Sequence, residues 1–427
     1  MSRLDELIRE LCPDGVEYKP LRDIATVSRG GSFQKKDYVE SGFPCIHYGQ
    51  IYTTYGLFVE QTVSFISQET ARKQKKAVTG DVIMAVTSEN IEDVCKCIAW
   101  LGEGEVAVSG HTAIIHHNQD PKYLVYYLRS SLFYKQKTKL VHGTKVMEVS
   151  PNSLLDVVIP FPPLTIQREI VRILDNFTEL TAELTAELTA RKKQYEYYRD
   201  FLLTFSKPDE RILTDRQTDR QTRVTRYYDT IKWLMLKDVV KKSSSGATPT
   251  KGNSNYYNGG TIPWIRTQDV KFNEILSVES YITEEAVKKT AAKWIPENCV
   301  IVAISGASAG RCAINKIRAT TNQHCLNMQI DETKALYKYV YYCVCSQYEE
   351  LLSRKQGARG DLNSSLILGI TIPVPSIDEQ HRIVSILDRF DSLCNDISTG
   401  LPAEITARQK QYEYYRDKLL TFKPLVS

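Results

Sequence analysis

An α+β fold built twice is what this sequence predicts: two globular α/β-mixed parts separated by two long antiparallel coiled-coil helices, with a pseudo-two-fold internal repeat. Three observations predict it. Gln-Tyr-Glu-Tyr-Tyr-Arg-Asp occurs at Gln194–Asp200 and again at Gln411–Asp417, and Thr189–Phe205 matches Thr406–Phe422 at 15 of 17 positions, a duplication too long for chance. Around each copy, apolar residues recur at steps of three and four. Upstream of each copy, short apolar strand-like runs mix with polar and aromatic helix-like ones.

In chain order, residues 1–15 read as an N-terminal helix bringing Leu4, Leu7, Ile8 and Leu11 to the helical contact; the stretch is charged and amphipathic, unlike a signal peptide. Residues 16–160 form the first globular part, with Val82–Val86 as a buried strand, Glu69–Ala77 as a polar helix and Tyr123–Leu132 as a helix with an aromatic face. Residues 161–206 form the first helical spacer. Its stripe runs Ile170, Ile173, Phe177, Leu180, Leu184, Leu188, Tyr195, Tyr198, Leu202, Phe205, and Pro162-Pro163 stand ahead of it, where proline cannot interrupt a helix. Residues 207–226, repeating Thr-Asp-Arg-Gln, read as a solvated linker.

The second globular part covers 227–373. There Ser243–Gly246 and Gly252–Gly260 read as loops, Glu284–Ala292 as a polar helix, Val300–Ile304 as a buried strand and Leu336–Cys345 as a second aromatic-faced helix. Residues 374–424 form the second spacer, with Ile383, Ile386, Phe390, Leu393, Ile397, Leu401, Ile405, Tyr412, Tyr415, Leu419 and Phe422 on its stripe; Gly400 and Pro402 should kink or break it. The two halves also align at Ile159-Pro160-Phe161-Pro162 with Ile372-Pro373-Val374-Pro375, and at Gln167–Asp175 with Gln380–Asp388.

From Leu164 to Phe205 a helix would reach about 63 Å. It cannot fold back within one small domain, so it should act as a strut, with the second spacer returning antiparallel to it. Thr-Ala-Glu-Leu is repeated at Thr181–Leu184 and Thr185–Leu188. Four residues turn a helix by about 400°, so a copy can be added or removed while leucine stays near the buried stripe. The second spacer carries four extra residues between Phe390 and Arg408.

Composition is that of an ordinary soluble protein, with 42% hydrophobic and 25% charged residues. No apolar run suggests a membrane span. Ten cysteines without a Cys-x-x-Cys pair read as reduced, buried thiols of a cytoplasmic protein rather than a zinc site. His111 and the pair His116-His117 read as structural, with no carboxylate partner apparent; no metal site is expected. Sequence patterns for nucleotide phosphates, dinucleotides, amino-methyl transfer and a metal-dependent nuclease are missing, so no catalytic residue is assigned.

Nucleic acid fits better. The net charge of +4 permits it, and the basic residues cluster. Candidate DNA contacts in the first part are Lys35, Lys36, His47, Tyr48, Gln50, Arg72, Lys73, Lys75, Lys76 and Lys145. In the second they are Arg266, Thr267, Gln268, Lys288, Lys289, Arg311 and Arg359. These are residue types that contact phosphates and base edges. Gly143-Thr144-Lys145 and Gly357-Ala358-Arg359 occupy nearly equivalent places, where glycine lets backbone approach a phosphate. On the Tyr-rich tails, Tyr195, Tyr198, Tyr412 and Tyr415 read as core. Glu196, Tyr197, Arg199 and their copies Glu413, Tyr414, Arg416 lie off the stripe. Either they dock two identical partners or they match only because the duplication is recent.

With the repeat, the Ile-Pro-x-Pro boundaries, the Gln-x-x-Ile-Val-x-Ile-Leu-Asp helix starts and the paired tails in hand, nearly the whole chain resembles the specificity subunit of type I restriction–modification systems. The resemblance implies that each globular part is a target recognition domain reading one half of a bipartite site on double-stranded DNA. It implies that the tails dock two modification (methyltransferase) subunits, and that restriction (motor/nuclease) subunits complete the assembly. The chain itself would then hold no cofactor, with S-adenosylmethionine, ATP and Mg belonging to the partners. The chain would be a non-catalytic recognition subunit directing adenine methylation and DNA cleavage. Two alternatives stay open: a stand-alone DNA-modifying enzyme with an unrecognised site, and a coiled-coil scaffold without a DNA role.

Overall fold

The structure, a computed structural model, describes residues 2–205, 231–355, 361–396 and 398–425. The linker expected at 207–226 lies outside them, as do Ile397 and the Gly357-Ala358-Arg359 triplet. The chain divides into two compact units, Met1–Thr185 with Glu404–Ser427, and Ala186–Ala403.

In the first unit a five-stranded sheet runs in the order Ala25–Arg29, Thr112–His117, Val82–Ala85, Cys97–Trp100, Phe58–Val59. A second runs Tyr38–Val39, Ser64–Ile66, Phe43–Ile46, Val106–Val108, Lys76–Ala77. The central strand Val82–Ala85 is apolar throughout because both its faces are covered. Val82 and Met84 join the core with Tyr123, Tyr126 and Ile170, while Ile83 and Ala85 face Ile46 and Val108 of the second sheet.

The second unit repeats this plan. Its first sheet runs Val240–Ser245, Cys325–Ile330, Val300–Ala303, Cys312–Asn315, Asn273–Ile275, and its second Tyr281–Ile282, Ile262–Ile265, Ala319–Thr321, Trp294–Ile295. Val300 and Val302 face Tyr339 and Ile383; Ile301 and Ala303 face Ile265 and Ala319. Ser243–Gly246, expected to be a loop, is a strand as far as Ser245, because its serines pair antiparallel with Leu326–Met328. The helices expected at Glu69–Ala77 and Glu284–Ala292 are shorter, Gln68–Arg72 and Glu284–Lys289, since Lys76–Ala77 is drawn into a strand and the backbone turns extended at Thr290.

Each aromatic helix is fixed by the same bonds. In Pro121–Leu128, Tyr123 donates to Pro160 O (3.1 Å), while Tyr126 (2.6 Å) and Lys122 (2.7 Å) donate to Asp175. In Tyr337–Ser346, Tyr339 donates to Pro373 O (2.9 Å), and Tyr342 (2.6 Å) and Lys338 (2.9 Å) donate to Asp388. Gln167 accepts from Asp120 N (3.1 Å) and donates to Pro162 O (2.8 Å). Gln380 accepts from Leu336 N and donates to Pro375 O, both at 2.9 Å.

The first spacer is one uninterrupted helix, Leu164–Thr204, whose residues to Thr185 belong with the first unit and from Ala186 with the second. The second spacer is two helices, Ile377–Asn395 and Leu401–Leu419, broken around Gly400, where an added Cβ would meet Ser392 O and Asp396 O below 3 Å. Two helix segments pack antiparallel in each unit. In the first, Phe177 meets Tyr415 while Thr181 and Gln409 line one pocket; in the second, Tyr198 meets Phe390 while Lys192 and Asn395 do. Ile170, Ile383, Leu401, Tyr412 and Phe422 of the stripe read in sequence are buried, but elsewhere the buried position is the next residue along. Leu174 and Leu387, Leu203 and Leu420 are buried, and Ile173, Leu202 and Leu419 pack only partly. Tyr412 is buried, whereas Tyr198 and Tyr415, expected to be core, are 38% and 37% exposed although each stacks on a phenylalanine, Phe390 or Phe177. The N-terminal helix Arg3–Leu11 buries Leu4, packs Leu7 and Ile8 and leaves Leu11 exposed.

Candidate nucleic-acid interface

Both units build the same corner where their second sheet ends. Strand Phe43–Ile46 stops at His47, whose N–H donates to Gln50 Oε1 (2.8 Å), starting the short helix Tyr48–Thr53. Strand Ile262–Ile265 stops at Arg266, whose N–H donates to Asp269 Oδ2 (2.8 Å), starting the turn Thr267–Asp269. A parallel strand lies beside each and turns at its end, through Ser109-Gly110-His111 in one unit and Asn322-Gln323-His324 in the other. Ser109 N donates to Ile46 O (3.0 Å), and Asn322 N to Ile265 O (2.9 Å). The neighbouring sheet comes so close that only glycine fits: a Cβ on Gly30 would sit 2.1 Å from Ser109 O, and on Gly246 1.8 Å from Thr321 O.

The chemistry at the two corners differs. In the first, the Tyr48 ring lies 4.5 Å from His47 and 5.0 Å from His111. Burial lowers the His47 pKa, and Lys35 and His111 push it the same way. In the second, the Arg266 guanidinium lies 6.0 Å over the Trp264 ring, and its buried Nε has no hydrogen-bond partner. Lys251, Tyr257, Arg266, Asn322, Gln323 and His324 line one open cleft. Gln323 accepts from Thr248 and faces His324 at 3.1 Å, so the amide is held in place. Asn322, Gln323, His324 and Lys251 carried no sequence motif; the alignment of His111 with His324 across the repeat is the signal that would have found them.

Lys35, Lys36, Arg72, Lys75 and Lys145 are exposed, and none has an acidic partner within 4 Å among the described residues. Thr267 and Arg311 are half-buried and Gln268 is exposed. Other candidates are committed elsewhere. Gln50 also donates to Ser64 Oγ (2.6 Å), so both ends of its amide brace the corner. Lys76 pairs with Glu105 (2.7 Å) and covers Phe43. Lys73 pairs with Glu69, Lys288 with Glu284 and Lys289 with Glu285, all exposed helical pairs of small energetic weight.

On the tails, Glu196, Tyr197, Glu413 and Tyr414 are exposed. Arg199 and Arg416 are not, contrary to expectation: their side chains are 17% and 11% exposed, because each folds over a tyrosine, Tyr195 or Tyr412, and pairs with Asp200 or Asp417. His116, read as lacking a carboxylate partner, has one in Asp81 (2.7 Å). Among the described residues no group of three metal-ligating side chains assembles, and no helix is long and apolar enough to cross a membrane. All ten cysteines are free, nine of them buried.

A family model described as the type I restriction modification DNA specificity domain matches residues 13–191 and again 229–407. The specificity subunit of an Escherichia coli type I restriction enzyme is 39% identical over 62% of this chain, and the match spans 61% of that relative's length. A type I restriction enzyme specificity subunit of Haemophilus influenzae is 30% identical over 76% of this chain and 78% of its own. Among solved structures, a chain from a study of type I system assembly superposes with a TM-score of 0.61 at 17% identity, covering 96% of this chain and 98% of that one. The S subunit from M. genitalium does so with 0.54 at 13%, covering 95% and 96%.

Proposed function

Since the chain belongs to the type I restriction modification DNA specificity family, we propose that it recognises an asymmetric bipartite sequence on double-stranded DNA, one half-site per unit. The observation that carries this reading is the corner built twice with different side chains. The scaffold is held by the same backbone bonds, while His47, Tyr48 and His111 line the corner of one unit and Arg266, Gln323 and His324 line that of the other. Two readers of unlike chemistry require two unlike half-sites. Arg266 suits guanine O6 and N7, and the exposed Lys35, Lys36, Arg72, Lys75 and Lys145 suit phosphates. Arg311 and Arg359 are assigned to phosphates on their residue type alone.

The chain positions rather than catalyses. Methylation belongs to modification subunits, two of which dock on the faces carrying Glu196 and Tyr197, and Glu413 and Tyr414. Restriction subunits join that assembly, and S-adenosylmethionine, ATP and Mg are held by the partners. Footprinting of the chain with its modification partner on random-sequence DNA tests this. Two short protected tracts of different sequence, a constant gap apart, are expected; one continuous tract or a symmetric pair would refute it.

A further inference from the structure

We propose that the first unit holds an anion-binding pocket beneath its helix pair, separate from the DNA-reading corners, which takes a phosphate or carboxylate group. A cavity of about 420 Å³ opens between the helix Ser131–Lys137 and the paired segments carrying Thr178 and Tyr412. Four cations line it, Lys96, Arg129, Lys137 and Arg416, against one acidic residue, Glu92. Two are neutralised locally, Lys96 by Asp93 at 2.5 Å and Arg416 by Asp417 at 2.9 Å. Arg129 and Lys137 have no carboxylate oxygen within 4 Å among the described residues.

Lys137 carries the argument. Its side chain is 95% buried, at 5% exposure. Its ammonium donates to Glu92 O (2.9 Å) and Val94 O (2.7 Å) and lies 5.1 Å from the Tyr134 ring centroid. Those contacts supply dipoles but no direct counterion; Asp93, itself paired with Lys96, acts on the ammonium only from beyond 4 Å, and a buried cation without a direct counterion is costly. Ser130, Thr178 and Thr181 at the opening donate their hydroxyls to the carbonyls of Tyr127, Asp175 and Phe177, so Arg129 and Lys137 are the donors left for an anion. An anion seated between Arg129 and Lys137 supplies the missing charge. The second unit has a pocket at the same place in its fold, lined by Tyr195, Arg199 and Ser346, but Cys345 stands where Arg129 does, and the four acidic residues Glu196, Asp200, Glu349 and Asp391 outnumber the cations Lys192, Arg199 and Lys271. The site is therefore built in one unit only.

The test is calorimetric titration of the full chain with inorganic phosphate, and separately with glutamate, against chloride at equal ionic strength. Saturable binding of either anion is expected, weakened tenfold or more by Arg129→Ala and by Lys137→Met, partly restored by Arg129→Lys, and unchanged by Arg199→Ala or Lys35→Ala. Preference for phosphate points to a phosphorylated ligand, and preference for glutamate to an acidic side chain of a partner; either supports the site. Binding of neither anion, or binding that survives Arg129→Ala in a folded variant, overturns it. A half-site footprint that stays intact in Arg129→Ala separates this result from the fate of the DNA reading.

Discussion

The ring of Phe177 stacks on that of Tyr415, centroids 5.5 Å and planes 23° apart. Phe177 comes from the first spacer and Tyr415 from the second. The second unit makes the reciprocal stack, Phe390 from the second spacer on Tyr198 from the first, at 5.6 Å and 24°. Each compact unit is thus completed by the end of the helix that the other half of the sequence encodes. Phe177→Ala should lower the stability of the first unit by about 2 kcal/mol, below the full core value because Phe177 is only partly buried. A double-mutant cycle with Tyr415→Ala should give a coupling of about 0.5–1.5 kcal/mol. Urea titration followed by hydrogen exchange in each unit checks both numbers.

Gln167 and Gln380 are wholly buried and spend both ends of the amide on backbone. Gln167→Leu keeps the volume but orphans Asp120 N and Pro162 O. The expected cost is about 3 kcal/mol. Gln380→Leu should cost a similar amount in the second unit alone, which separate unfolding transitions would reveal.

The duplication and the break at Gly400 are plain in the sequence, because identity and helix-breaking chemistry are local. The sequence period places the buried stripe one position off at Ile173 and Leu202. A helix packed on a globular face and on a second helix buries a wider arc than a simple seam, so Leu174 and Leu203 also go inside. Ser243–Gly246 looks like a loop because serines carry no apolar period, and only pairing with Leu326–Met328 makes it a strand. The candidate corner is half visible in the sequence. His47 and Arg266 follow apolar strands directly, whereas His111 and His324 reach them only through the parallel pairing of distant strands.

His117 gives the fold an acid limit. Its Nδ1 accepts from Gln119 N (3.1 Å), its Nε2 is buried without a partner, and burial lowers its pKa although Asp81 and Asp120 pull the other way. The folded pKa lies below the unfolded one near 6.5, so at lower pH the unfolded chain binds more protons. Stability is full above about 6.5 and is lost as pH falls through the folded value. Urea midpoints at successive pH values should therefore fall in acid, and His117→Gln should flatten that slope.

Thr181–Leu188 sits inside the continuous helix, with Leu184 and Leu188 half-buried and Thr185 exposed. Deleting Thr185–Leu188 removes about 6 Å of helix and rotates the residues beyond Leu188 by about 40° from register, which leaves leucine on the packed side. The expected outcome is a gap shorter by about one to two base pairs with both half-sites unchanged. A methylation map made with the deletion variant and its partners reads this directly, and an unaltered gap would mean that the helix is no ruler.

Arg266 should specify a single base pair. Its backbone is locked by Asp269, its guanidinium lies over Trp264, and its buried Nε has no partner, so the side chain is held in place without its donors being spent. A bidentate arginine contact contributes about 1–3 kcal/mol of discrimination between bases. Arg266→Ala should therefore relax one position of the second half-site by roughly tenfold to a hundredfold, leaving the first half-site as selective as before. Lys35→Ala, by contrast, should weaken binding to every sequence alike and flatten the salt dependence by about one phosphate contact. Selection of bound sites from a random library at two salt concentrations separates the two effects. If Arg266→Ala behaves like Lys35→Ala, the corner grips the backbone instead of reading bases, and the different residues at His47 and Arg266 have no bearing on why the half-sites differ.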